Sequence, residues 1–226
     1  MTESNTEAEK SSQASHNVNI LPVFPLPIFL LTGGMQRLRI FEAKYVAMVA
    51  NANETDGFVM SVYHQERAFN AADWGAHVKI VDFDQGEDGI LQVDVLAVGL
   101  VSLSDFSYQQ DGLLLAHAET LPHWSVEPSL VSDWSKQQNT EVTSDKLSFD
   151  NSEEHQQFST VLQGIFQSHK PLNDLYKQQY FDYYEWVCAR LLEIIPLSLT
   201  EKEKFVKPLQ LEQLTKLLDS LCEKDK

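Results

Sequence analysis

Basic charge is what this sequence has least of. Seventeen lysines and arginines stand against thirty-three aspartates and glutamates, a formal charge of −16 over 226 residues. The deficit is spread along the chain: −2 in residues 1–17, −8 in 18–124 and −6 in 125–226. Phosphate neutralisation by Lys and Arg dominates nucleic-acid affinity, so a chain with no basic segment argues against DNA, RNA and anionic membranes as general partners. Cysteine is nearly missing as well. Cys188 and Cys222 form no C-x-x-C pair, so a disulfide framework has no support and two reduced thiols of a cytoplasmic protein are expected.

A long hydrophobic run is also lacking. The most apolar stretch, "ILPVFPLPIFLL" (20–31), is twelve residues long, short of the roughly 20 that a spanning helix needs. Polar, acidic residues precede it, where a secretory signal would be short and positive. The strip therefore belongs to a fold. Pro22, Pro25 and Pro27 interrupt it, and a residue without an amide hydrogen does not suit a fully paired central strand. Its expected place is a sheet edge. Gly33-Gly34 then turn the chain into "MQRLRIF", with Leu38 and Ile40 on one face and Arg37 and Arg39 on the other.

What is present divides the chain. Residues 1–17 are polar and without apolar period, a disordered tail. From 18 to 124 the pattern is mostly β, and an α+β class follows once the helical remainder is counted. Leu91, Val93, Val95, Ala97, Val101 and Leu103 share one parity, the period of a half-buried strand. Gly99 interrupts that run, where a bulge lets a long strand curve around a barrel. "GFVMSVYH" (57–64) and "WGAHVKIVDF" (74–83) supply further strands, and "DFDQGEDG" and "SYQQDG" carry hairpin-turn residues. One embedded helix places Phe41, Tyr45, Met48 and Val49 on an apolar face that can cross the barrel mouth.

Residues 125–151 are polar and aperiodic, a linker. Helical patterns fill 152–226. Ser152 caps a helix burying Phe158, Val161, Leu162, Ile165 and Phe166, which stops before Pro171. The next aligns Tyr184, Val187, Cys188, Leu191, Leu192 and Ile195 and ends at Pro196. Thr200 and Glu203 have capping-box spacing, and a last helix presents Leu211, Leu214, Leu218 and Leu221. Single apolar faces predict a small bundle.

"LPVFPLPIFLLTGG" followed by "LRIFEAKYVAMV" resembles the opening of the Lon N-terminal domain family. "GAHVKIVDFDQGEDGILQVDVLAVGLVSL" is similar to that family's hairpin and long strand, and "ARLLEIIPLSLTEKEKFV" to its helix–Pro–Leu segment. The likeness covers roughly residues 18–124 and 156–222. It implies a PUA-like β pseudo-barrel followed by a helical bundle, and a non-catalytic module that recognises unfolded or exposed polypeptide. The full-length relatives join this domain to an ATPase and a Ser-Lys peptidase. This chain has no G-x-x-x-x-G-K-[ST] loop to hold nucleotide phosphates, and Ser135-Lys136 lie in a polar stretch where a lysine stays solvated. A stand-alone, ATP-independent binding module is therefore expected, acting as an adaptor beside a protease or chaperone, with no cofactor.

No metal is expected either: the seven histidines show no H-E-x-x-H or paired spacing with cysteine. "DFDQGEDG" has Glu87 where an EF-hand loop needs Gly, so it reads as a solvated hairpin. Four residues are candidates for polypeptide contact. Arg37 and Arg39 can meet a peptide carboxylate, although an Arg39–Glu42 ion pair at the strand-to-helix corner is the plainer role. Tyr63 and Phe83, with Trp74, stand near strand ends, where core packing competes with a place in a groove. The rival function is RNA binding, which would require Arg37, Arg39, Lys44 and Lys79 to share one cationic face.

Overall fold

A computed structural model describes residues 19–52, 56–125, 153–207 and 210–223. The expected tail, the Ser152 cap and nearly all of the linker, with Ser135-Lys136, lie outside the described residues. Six strands form one sheet: β1 (Asn19–Leu26), β2 (Met35–Ile40), β3 (Phe58–Tyr63), β4 (Ala71–Gln85), β5 (Leu91–Tyr108) and β6 (Leu114–Thr120). Helix α1 (Ala43–Asn51) sits between β2 and β3. The helical half comprises α2 (Glu153–Ser168), α3 (Lys170–Leu175), α4 (Tyr184–Ile194), α5 (Leu199–Glu203) and α6 (Leu211–Glu223). The order β2-β5-β4-β3-β1-β6, with β6 returning to β5, closes five strands on themselves and leaves β2 outside the ring. The α+β class and the pseudo-barrel are as the sequence predicts, though the ring is not a strict barrel.

The opening strip is not at the edge. β1 lies between β6 and β3, antiparallel to one and parallel to the other. It tolerates prolines there because its two halves have different partners. Residues 19–23 pair with β6 and 23–26 with β3, overlapping only at Val23. Each half therefore keeps one unpaired side, where a missing N–H is harmless. The rest of the strip leaves the sheet: Phe29, Leu30 and Leu31 are buried in the large core with the helices. β2 is the edge, paired with β5 alone among the described residues.

β5 bends as its glycine suggests. His77 faces Gly99 and Val78 faces Ala97, so Val98 has no counterpart and the strand bulges beside Gly99. Its first half then pairs with β2 and β4, its last with β6. A small cluster including Leu21, Val23, Val59, Val101, Leu103, Leu114 and Ala116 joins β1, β3, β5 and β6 face to face. The larger core combines strand residues such as Phe58, Val78, Val93 and Val95 with Phe158, Leu162, Trp186, Leu192 and Leu214 from the helices.

Four local expectations are corrected. Phe41 precedes α1 and is exposed, and Val161 faces outward from α2. α4 has no single apolar face: Trp186 through Leu192 are all buried, because this helix is surrounded by the sheet-side loop and other helices. The capping box is Ser198–Glu201, not Thr200–Glu203. Glu203 instead turns inward, accepting from Trp74 Nε1 at 2.8 Å and meeting His64 at 2.8 Å, which ties the sheet to α5.

α4 also clamps the Gly33-Gly34 turn. Arg190 reaches Glu193 through Nε (2.7 Å) and Nη2 (2.6 Å) and donates from Nη2 to the Leu31 and Thr32 carbonyls, each at 3.2 Å. Glu193 accepts the Leu31 N–H at 2.7 Å, and Trp186 Nε1 donates to Gly33 O at 3.3 Å. Gly33 turns at φ 77°. Gly34 is required for a different reason. A Cβ there would stand 2.6 Å from Glu193 Oε1 and 2.9 Å from Arg190 Nη2. The double glycine lets the loop lie directly on this ion pair.

The β half ends in a pH-sensitive seam. Trp124 Nε1 donates to Phe205 O at 2.7 Å, and the Ser125 N–H donates to His123 Nδ1 at 3.0 Å. Burial lowers His123 from its ordinary 6.5 to about 4, with the Phe205 backbone opposing. The unfolded chain thus binds a proton that the folded chain refuses between those values, and stability falls as pH drops from 6.5 toward 4. At 1.36 kcal/mol per unit the loss approaches about 3 kcal/mol. Urea unfolding at pH 7 and 4.5 should show a smaller loss for His123→Asn, whose amide oxygen replaces the Nδ1 acceptor without titrating. Equal losses in both proteins would refute this assignment.

Candidate functional site

The outer surface of β4 and β5 forms one wall of an open groove. Ile80, Val81, Leu96 and Val98 give it an apolar floor, and Met35 of the edge strand β2 continues that floor. The opposite wall is the segment after α3, with Tyr176, Lys177, Gln178 and Tyr180. The enclosed space is about 470 Å3, within the range of about 300–1,000 Å3 usual for ligand sites. Two contacts hold the wall to the sheet. The Met35 N–H donates to Tyr176 Oη at 2.9 Å, and Lys177 Nζ meets Asp82 at 2.8 Å across the opening. Burial pushes the phenols of Tyr176 and Tyr180 up to about 12, so both remain neutral donors and acceptors.

A smaller recess of about 190 Å3 continues the groove, sharing Asp82 and Asp94 with it and adding Arg37, Phe83, Asp84 and Gln92. Arg37 grips Asp94 through two bonds of 2.7 Å. Asp94 is buried on a strand position where parity predicts exposure, and Arg37 is what makes that burial tolerable. The same hydrogen bond raises the Arg37 guanidinium above its ordinary value, and Lys177 lowers Asp82.

Of the four candidate residues, the structure brings Arg37 and Phe83 together. Phe83 is 70 % exposed at the rim, so the core role is corrected for it. Tyr63, exposed at the far end of β3 beside Ala71, is also outside the core, whereas Trp74 is buried. Arg39 pairs with Asp88 of the β4–β5 hairpin, and the expected Arg39–Glu42 pair gives way to Glu42–Lys44 at 3.6 Å. Glu42 precedes α1, and the register of β2 against β5 carries Arg39 toward the hairpin instead. Sequence reasoning missed Val81, Tyr176, Lys177 and Tyr180. The run "YKQQYFDYY" (176–184) carried a signal, since five aromatics in nine residues between helices mark a loop that packs.

Cations are neutralised one by one. Arg37 pairs with Asp94, Arg39 with Asp88, Lys44 with Glu42 and Lys79 with Asp56. The cationic face that RNA binding requires is not assembled. Among the described residues no group of three or more His, Cys, Asp or Glu could hold a metal ion, and no helix is long and apolar enough to cross a membrane.

A closed strand ring, an edge strand left outside it and a groove roofed by the Tyr176–Tyr180 segment are the features that position this site. This chain belongs to the ATP-dependent protease La (LON) substrate-binding domain family, whose model matches residues 20–223. Solved structures similar to it include two Lon N-terminal domains. A Lon N-terminal domain protein from Xanthomonas campestris is 25 % identical, with a TM-score of 0.57 over 87 % of this chain and 97 % of that one. The N-terminal domain of a Mycobacterium avium complex Lon protease is 10 % identical, with a TM-score of 0.58 over 91 % and 98 %, a likeness of fold. Among curated protein sequences none matches this chain.

Proposed function

We propose that the chain binds unfolded or extended polypeptide segments in the groove running from Tyr180 to Phe83, without ATP, as a cytoplasmic adaptor that holds clients for a protease or chaperone. The observation that carries this reading is the groove's floor. Ile80, Val81, Leu96 and Val98 present apolar surface to solvent along two paired strands, beside the edge strand β2. Apolar side chains of an extended client gain hydrophobic contact there, and main-chain hydrogen bonds make such binding tolerant of sequence. The charge of −16 favours neutral or basic clients. Arg37, already committed to Asp94, orients the rim and does not capture a free carboxylate.

Fluorescence anisotropy of a labelled unfolded polypeptide, its folded form and a structured RNA, at two salt concentrations without ATP, tests the reading. Saturable binding to the unfolded chain alone is expected. The double substitution Val81→Asp with Phe83→Ala should weaken it about tenfold or more, since two exposed apolar contacts are lost. Both positions are exposed, so stability should stay within about 0.5 kcal/mol of wild type. Undiminished binding by that variant would remove the groove from the account, and RNA binding alone would replace polypeptide as the ligand.

A further inference from the structure

Behind the Met35–Tyr176 contact lies a separate recess of about 320 Å3, between the apolar strip after β1 and the helices. Its walls are mostly hydrocarbon, from Ile28 and Leu30 on one side and Leu172 and Leu199 on the other. Two cations line it too. Arg190 is 1 % exposed and Lys202 is 7 % exposed. Only one lining residue carries a carboxylate, Glu193, and Arg190 and the Leu31 N–H already occupy it. Lys202 Nζ donates to the Glu193 backbone carbonyl at 2.7 Å and makes no ion pair within 4 Å among the described residues. Arg190 Nη1 is buried without a hydrogen-bond partner among them. Burial pushes the Lys202 ammonium below its ordinary value, with Glu193 opposing.

The sum is two positive charges and one negative, buried in a chain that is strongly acidic elsewhere. An uncompensated buried charge is costly, and a counter-ion with its own hydrogen-bond acceptors relieves that cost. We propose that this recess binds an apolar carboxylate, its carboxylate beside Lys202 and its hydrocarbon body between Ile28, Leu172 and Leu199. The volume stands at the small end of ligand pockets, matched to one apolar side chain with its carboxylate. The C-terminus of a polypeptide ending in an apolar residue and a free medium-chain carboxylic acid share this chemistry. The inference does not rest on the groove, from which Met35 and Tyr176 separate the recess.

Isothermal titration calorimetry of the full chain with three ligands tests it: a short peptide ending in leucine with a free carboxylate, the same peptide amidated, and octanoate. Binding of the free acid, with the amide weaker by about tenfold or more, is the expected result, as one charge-assisted hydrogen bond is worth at least that factor. Octanoate binding alone supports the recess and identifies a free acid. Peptide binding without octanoate binding, with the amide weaker by at least about tenfold, supports it and identifies a polypeptide C-terminus. Lys202→Met, which keeps the aliphatic stem, should lower carboxylate affinity by a similar factor, and Leu199→Trp should abolish binding by filling the recess. The ligand comparison on the unaltered chain stands even where a variant folds poorly. Val81→Asp should bind octanoate as wild type does and keep the peptide's preference for acid over amide, so failure of the groove and failure of the recess are separable. Equal affinity for acid and amide, or no binding of any ligand, overturns the proposal.

Discussion

Replacing Arg190 by methionine should cost about 3–5 kcal/mol of stability, the usual consequence of removing one partner of a buried ion pair. The substitution keeps most of the volume, so a cavity contributes little. What is lost is the cation hydrogen-bonded to the Glu193 carboxylate, whose side chain is 10 % exposed, together with the donor to the Leu31 and Thr32 carbonyls. Desolvation already pushes the Glu193 carboxyl up, with Arg190 and the Leu31 N–H pulling it down. Without Arg190 that upward push loses its main opponent, and the variant should become less stable as pH rises and the buried carboxyl is forced to ionise. Glu193→Gln keeps an oxygen for the Leu31 N–H and should cost less. Adding Glu193→Leu to Arg190→Met should recover part of the loss, because an apolar pair leaves no buried charge. Urea unfolding followed by the four tryptophans measures all of these. A loss below about 1 kcal/mol for Arg190→Met would place the pair among those that contribute nothing.

Gly34→Ala should be the next most damaging change, at about 2–3 kcal/mol, from overpacking against a buried network. The added carbon would meet Glu193 Oε1 and Leu30 Cδ1 at 2.6 Å each. Glu193 cannot swing aside without releasing Arg190 and the Leu31 N–H. Gly164 is the control of opposite sign. It lies exposed within α2, and a methyl group added there would have nothing within 4 Å. Gly164→Ala should therefore stabilise by about 0.5–1 kcal/mol through helix propensity. If Gly34→Ala is as mild as a surface substitution, the loop does not rest on the ion pair as described.

These two residues show where sequence reasoning reaches and where it stops. Gly33-Gly34 is conspicuous as a turn, and the period of two in β5 with its break at Gly99 is readable because alternation reports one buried face. The partner of the turn is not readable. Arg190 sits 156 residues from Gly34 on a helix whose apolar pattern suggests a single face, and only burial all round shows that a charge lies inside. Pro22 and Pro25 mislead in the same way. Proline marks unpaired strand sides, which an edge strand has along its whole length and β1 has half by half. The groove was legible at Arg37, which alternation in β2 sets opposite Leu38 and Ile40, whereas Phe83 stood out only as an aromatic near a strand end, with burial in the core as its competing role. It was illegible at Tyr176 and Lys177, since no local rule says which strands an inter-helix loop will cover.

The central claim is that unfolded polypeptide occupies the groove between β4–β5 and the Tyr176–Tyr180 segment. Methyl NMR of the full chain, titrated with an unfolded polypeptide, tests it most directly. Saturable shifts concentrated on Met35, Ile80, Val81, Leu96 and Val98 are expected, with methyls of the small cluster such as Val59 and Leu103 unmoved. Shifts that avoid these residues, or a spectrum that does not change, would contradict it.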